Sequence, residues 1–152
     1  MTMQKLCGVC TALNTEFNTA AKEMDSNALS AVRKKLAFRY DVSFLNGWTV
    51  RLLRHVSDSF TVEQMQVWTQ TKKGLFGKRS GSRIILLLRT PAAPELVIRC
   101  TSTDAALAKR LRTGCTVKVS GEMEITAFLR AGDVVWKEAE FGKNVRVTVI
   151  GK

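Results

Sequence analysis

The 152 residues include a single histidine, a single tyrosine and two prolines, and the 13 acidic residues are well short of the 24 basic ones. The lone histidine, His55, has no carboxylate pair or nucleophile motif to accompany it. Acid–base and nucleophilic catalysis need such partners within hydrogen-bond reach, so the chain reads as non-catalytic. No apolar run approaches the roughly 18 residues of a membrane span, since Ile84 to Leu88 is only five long. The four cysteines, Cys7, Cys10, Cys100 and Cys115, contain one CxxC pair and no second, which argues against a zinc ribbon. Cys7 and Cys10 fall in a helical pattern with no strand before it, which argues against a redox motif. No cofactor or metal site is expected. Cysteine usage of this kind fits a reducing intracellular compartment. The first residues show no secretory pattern, and with one Lys and no acid before Asn14 a mitochondrial location stays open.

What is present is a globular composition, with 45% hydrophobic and 24% charged residues, in a length suited to one domain or one domain with an appendage. The net charge of +11 is unevenly spread. Lys72 to Arg112 holds ten cations against Glu95 and Asp104, whereas the flanking segments are nearly balanced. Clustered cations suit a polyanion, nucleic acid before membrane, because phosphates reward them through counterion release.

Leu6, Val9, Cys10, Leu13, Phe17, Ala20, Ala21 and Met24 recur at three- and four-residue steps, which predicts an amphipathic helix. Asp25-Ser26-Asn27 supplies turn and cap residues, and Leu29, Val32, Leu36 and Tyr40 predict a second, more basic helix, the two forming a hairpin. Asp41 to Gly47 reads as a linker. The period then changes to two: Trp48 to Leu53 predicts a first strand and Val62 to Thr71 a second. Lys72 to Ser82, rich in glycine and cations, predicts a mobile charged loop. Arg83 to Thr90 is β-prone, Pro91 and Pro94 interrupt it, and Leu96 to Cys100 resumes it. Thr103 or Asp104 caps a short helix from Asp104 to Arg112, with Gly114 as its C-cap. Cys115 to Ile125 predicts a fourth strand, and Val145, Val147 and Val149 a fifth and last. The expected division is a helical extension over 1–46 and a β domain over 47–152.

The order β-β-β-α-β-β is that of the OB fold, a small barrel used widely for single-stranded nucleic acids. Leu111-Arg-Thr-Gly114-Cys-Thr-Val117-Lys-Val119-Ser-Gly121 resembles the L-R-K-G-x-x-V-x-(V/I)-x-G segment of bacterial-type single-stranded-DNA-binding proteins. In this reading Val117 and Val119 point into the barrel and Gly121 lets the strand bend. Val50 to Leu53 looks like the family's first strand and Val145 to Ile150 like its last. The resemblance implies a mainly β fold: a five-stranded OB barrel with one helix between strands three and four, preceded by the N-terminal helices. Arg54 replaces a family glycine, and Leu96 and Ser102 stand at two stacking aromatics, while Phe128 matches a third. Loss of two stacking platforms shifts binding toward electrostatics. The added helices and altered aromatics are also similar to OB-fold subunits of kinetoplastid mitochondrial RNA-editing complexes.

The expected nucleic-acid-binding residues are Arg51, Arg54, Trp68, Lys72, Lys73, Phe76, Lys78, Arg79, Arg83, Arg99, Phe128 and Trp136, gathered on one cationic face. Arg and Lys hold phosphates, and Phe76, Trp68 and Phe128 stack bases. Phe76, between Gly74-Leu75 and Gly77, has little core to join. Glu122 and Glu124 read as solvated residues at a strand end. The Gly74-Leu-Phe-Gly77 loop lacks the flanking helices of a KH module and the spacing of a P-loop. Two functions follow from this reading. One is binding of single-stranded RNA or DNA. The other is a structural subunit of a ribonucleoprotein, meeting a protein partner or another copy through the barrel edge or the N-terminal helices. Neither involves a membrane.

Overall fold

The computed structural model describes the backbone of residues 1–22, 26–74 and 77–151, and the side chains of all of these except 26, 69–74 and 77–82. It is mainly β, with seven strands in one sheet and three helices among the described residues. None of these helices is long and apolar enough to cross a membrane.

Thr2 caps α1 (Met3–Ala21), its hydroxyl accepting from the Lys5 N–H at 3.2 Å. Leu6, Cys10, Leu13 and Phe17 are buried along one face, as their spacing predicts. In α2 (Ser26–Tyr40), Leu36 is buried and Leu29, Val32 and Tyr40 pack against the core. The end of α2 meets α1 at Glu16, which accepts from the Tyr40 hydroxyl at 2.6 Å and pairs with Arg39. Both helices share a single core with the strands. The predicted linker instead contains β1 (Ser43–Asn46), which pairs antiparallel with the start of β2 and packs Phe44 on Phe17.

The two strands predicted over Trp48–Leu53 and Val62–Thr71 are one strand, β2 (Thr49–Gly74), 26 residues long. The sequence hides this because Arg54 and Asp58 occupy inward positions between Leu52 and Phe60, and polar residues there break the apolar alternation. Both are satisfied by the N-terminal segment. Asp58 accepts from the Met3 N–H at 2.9 Å, and Arg54 donates to backbone carbonyls at the end of α2. Up to Thr61, β2 pairs with β5; from Thr61 onward it pairs with β3 (Gly77–Arg89), with a bulge between Val62 and Gln64.

The predicted loop over Lys72–Ser82 is therefore not a loop for most of its length: the backbone stays paired out to Gly74 opposite Gly77. Leu75 and Phe76 lie outside the described residues.

β4 (Ile98–Ser102) pairs with β3 and then, in parallel, with β6 (Asp133–Phe141) through Ile98–Ala139 and Arg99–Glu140. Asp104 caps α3 (Ala105–Arg110), accepting from the Ala106 N–H at 3.0 Å. The helix ends at Leu111, so Gly114 is not its C-cap. Gly114 instead takes φ +90° in the following turn and donates to the Val62 carbonyl at 2.7 Å. β5 (Thr116–Arg130) pairs with β6 and with β7 (Arg146–Gly151). The sheet order is β1-β2-β3-β4-β6-β5-β7, and the further pairing of β2 with β5 closes a circuit of five strands.

The fifth strand of that circuit is β6, which the sequence reading passed over because Val134, Val135 and Trp136 run consecutively and a bulge between Thr126 and Ala127 interrupts the pairing. Val147 and Val149, expected in that strand, lie in β7 beside the circuit, and Val145 precedes it. β5 gives one stretch, Thr116–Ser120, to β7 and another, Met123–Arg130, to β6. Between them lies Gly121, where an added Cβ would lie 3.1 Å from the Val145 Cα. Close approach of that backbone favours glycine there.

Candidate nucleic-acid interface

Side-chain alternation sorts the circuit into an inside and an outside. Val50, Leu52, Val56 and Phe60 of β2, Ile84, Leu86 and Leu88 of β3, Ile98 and Cys100 of β4, and Val117, Val119, Met123, Ile125 and Ala127 of β5 are buried. The alternate positions face out. The twelve residues expected on one face divide among three places.

The first place is the outer face of β2, β4, β5 and β6. Arg51 lies there with its guanidinium 3.7 Å from Glu124. Arg99 is exposed and paired in register with Glu140, which is itself in register with Glu124. Two adjoining cavities on this face share Arg99, Glu124 and Glu140, the larger about 640 Å³. Glu122, with Arg83 and Lys143, lines the larger and Glu138 the other. Four glutamates thus offset the cations, and a phosphate chain laid across this surface meets no net attraction. Glu138 and Glu140 were missed in the sequence because β6 was missed.

The second place is the seam between the N-terminal segment and the sheet. The Arg54 side chain is only 17% exposed. It donates to the Asp41 and Leu53 carbonyls at 2.9 Å and to the Tyr40 carbonyl, where helix ends leave carbonyls without intrahelical partners. Trp136 packs against the core and lines a cavity with Thr11, Asn14 and Asn18 of α1. Phe128 is half-buried, and the Lys137 ammonium stands 5.7 Å from its ring centre, a cation–π arrangement that occupies one ring face.

The third place is the β2–β3 hairpin. Pairing of β3 with β4 ends at Ile84, so beyond Val67–Ile84 the two strands pair with each other alone. This arm runs from Trp68 to Gly74 and back from Gly77 to Arg83, about 20 Å at the usual rise per residue. Trp68 is 55% exposed and sits in register opposite the exposed Arg83. Lys72 lies opposite Arg79 and Lys73 opposite Lys78 in the backbone register. From Trp68 to Arg83 the sequence holds these five cations and no acid. Phe76 lies outside the described residues.

Cys10, Cys100 and Cys115 are buried free thiols, and Cys7 is partly buried. Burial pushes Cys10 and Cys100 up to about 12, and Cys7 is also raised by burial. Cys7 and Cys10 sit within α1, where burial outweighs the nearby Arg54 charge that favours the Cys10 thiolate. Among the described residues no group of three or more His, Cys, Asp or Glu could hold a metal ion. Compared with protein families, curated proteins and solved structures, the chain matches none.

Proposed function

We propose that this chain is a non-catalytic binder of single-stranded nucleic acid, built as a five-stranded OB-type barrel, and that the β2–β3 arm is its principal contact. The pairing circuit β2-β3-β4-β6-β5, with a helix between its third and fourth strands, supports the barrel reading. In that frame the arm is the connection between the first two barrel strands, one of the two loops with which OB folds take oligonucleotides. The observation that carries the function is the arm's charge: five cations with no acid among them, in a ribbon that projects from the sheet. Cations on such a surface displace the counterions condensed on a phosphate chain, and the exposed indole of Trp68 offers a base a stacking partner.

The test is anisotropy of a labelled oligonucleotide over a series of salt concentrations. Five phosphate contacts on a single strand predict a slope of log K against log salt of about −3.5, and Lys72→Gln, Lys73→Gln, Lys78→Gln and Arg79→Gln together should flatten it by about 3. Trp68→Ala should cost roughly 1–3 kcal/mol with the slope unchanged. An unaltered slope in the fourfold variant removes the arm from the interface.

A second reading, a structural subunit of a larger ribonucleoprotein, is favoured by Phe38 on α2, which is 92% exposed beside the exposed Lys34 and Lys35. Absence of any oligonucleotide binding by the isolated chain at low salt selects this reading over the first.

A further inference from the structure

We propose that the cavity between α3 and β7 is a second phosphate-binding site, which takes up a nucleic-acid strand where it leaves the arm. This rests on the arm being a nucleic-acid contact, and adds the path of the strand and the length it must have.

The cavity is about 490 Å³, with Lys109, Arg110 and Arg112 on its rim and Cys115, Val149 and Gly151 among its other lining residues. No acid lines it. Arg51, Arg54, Arg89 and Arg130 each have a carboxylate within 4 Å, whereas among the described residues none of the three rim cations forms an ion pair. The nearest acid along the chain, Asp104, is engaged as the cap at the opposite end of α3. Cations in the last turn of a helix also serve its free carbonyls, but Arg112 lies beyond the helix, and the Leu107 carbonyl already accepts from Leu111 at 2.9 Å. Cationic rim and apolar floor together suit phosphate oxygens above and a sugar or base below.

Its position links it to the arm. Val62, where β2 passes from β5 to β3, is hydrogen-bonded to the turn that borders the cavity: its N–H donates to the Cys115 carbonyl at 2.9 Å, and its carbonyl accepts from Gly114 at 2.7 Å. Gly151 is paired with Thr116, which is paired with Thr61. The cavity therefore lies beside the stretch of β2 that leads to the arm, short of its start at Trp68. From Val62 to Lys73 the strand rises by about 36 Å. A strand of roughly 4 nucleotides cannot join the arm's lysines to the cavity, whereas one of roughly 16 nucleotides can, both lengths lying within the site sizes of OB folds.

The experiment compares labelled strands of these two lengths on the full chain and on the variant Lys109→Gln, Arg110→Gln, Arg112→Gln. For the long strand the variant's salt slope should be flatter by about 2, so that raising salt from ~50 to ~200 mM costs the wild type about 20-fold more affinity than the variant. For the short strand the two proteins should show the same slope. The charge-preserving variant Lys109→Arg, Arg110→Lys, Arg112→Lys should retain the wild-type slope for both. Wild-type slope for the long strand in the glutamine variant overturns the proposal while leaving the arm reading intact. An equal loss at both lengths also overturns it. Failure of the wild type to bind either strand removes the arm reading itself.

Discussion

Arg54 shows how one side chain can look like a ligand contact in sequence and serve as a joint in the fold. It stands on a strand, in a basic chain, near the exposed Arg51. Its guanidinium is instead consumed by the carbonyls of Tyr40, Leu53 and Asp41. Arg54→Ala should therefore lower unfolding free energy by about 1–3 kcal/mol, as expected when partners of a charged donor are left without it, and should leave the salt slope of oligonucleotide binding unchanged. Urea denaturation beside the anisotropy titration checks both halves; loss of slope with full stability would return Arg54 to the interface. The buried thiols make a second prediction at this scale. Cys10 and Cys100 hold their protons to about pH 12 in the folded chain, against 9.0 for an ordinary thiol. The folded state binds more protons than the unfolded one in that window. Stability is thus unaffected by these groups below about pH 9 and falls as pH rises toward 12. The urea midpoint should decline less steeply between pH 9 and 10.5 in Cys10→Ala, Cys100→Ala than in the wild type, and parallel declines would refute the assignment.

Among the elements, β5 is the strand on which the others depend, pairing with β2 along one edge and with β6 and β7 along the other. Gly121 permits the changeover between β6 and β7. Gly121→Ala should cost about 1–3 kcal/mol, since the added methyl meets the Val145 backbone at 3.1 Å and one of the two must move. A stability within 0.5 kcal/mol of wild type, roughly the range of neutral surface changes, would show that β7 yields freely. How far these elements could be read from sequence depended on whether their pattern was local. α1 and α3 were readable because their spacing and caps lie within a few residues. β5 was readable because Val117 and Val119 alternate without a break. β2 was not, because the residues that satisfy Arg54 and Asp58 lie in a distant segment. β6 was not, because a bulge shifts its register. The candidate interface fared likewise: the cations of Lys72–Arg83 were visible, but their assembly in a paired arm, and the placing of Arg51 and Arg99 among glutamates, arise only from strand pairing.

In the molecule as a whole, charge is segregated rather than spread. The sequence of the arm holds cations and no acid, and no acid lines the cavity at the α3 rim, while the outer face of β5 and β6 carries Glu122, Glu124, Glu138 and Glu140. With its cations offset, such a face gives a strand held nearby no net attraction, which leaves the arm and the α3 rim to direct its course. Replacing the four glutamates by glutamine should raise oligonucleotide affinity at low salt, and the gain should vanish at ~1 M salt, where the screening length falls to about 3 Å. An unchanged or lower affinity at low salt would show that the face takes no part in steering. The closure of the circuit has a consequence for how the chain comes into being. One edge of β2 from Thr49 to Thr61 is completed by Thr116 to Phe128, and β4 can meet β6 only after β5 has been made, since β6 follows it. During synthesis β2 therefore waits, with backbone donors and acceptors bare, until most of the polypeptide has left the ribosome. Folding should be slow for the chain's size, and the interval before β5 arrives is when self-association competes with it most strongly.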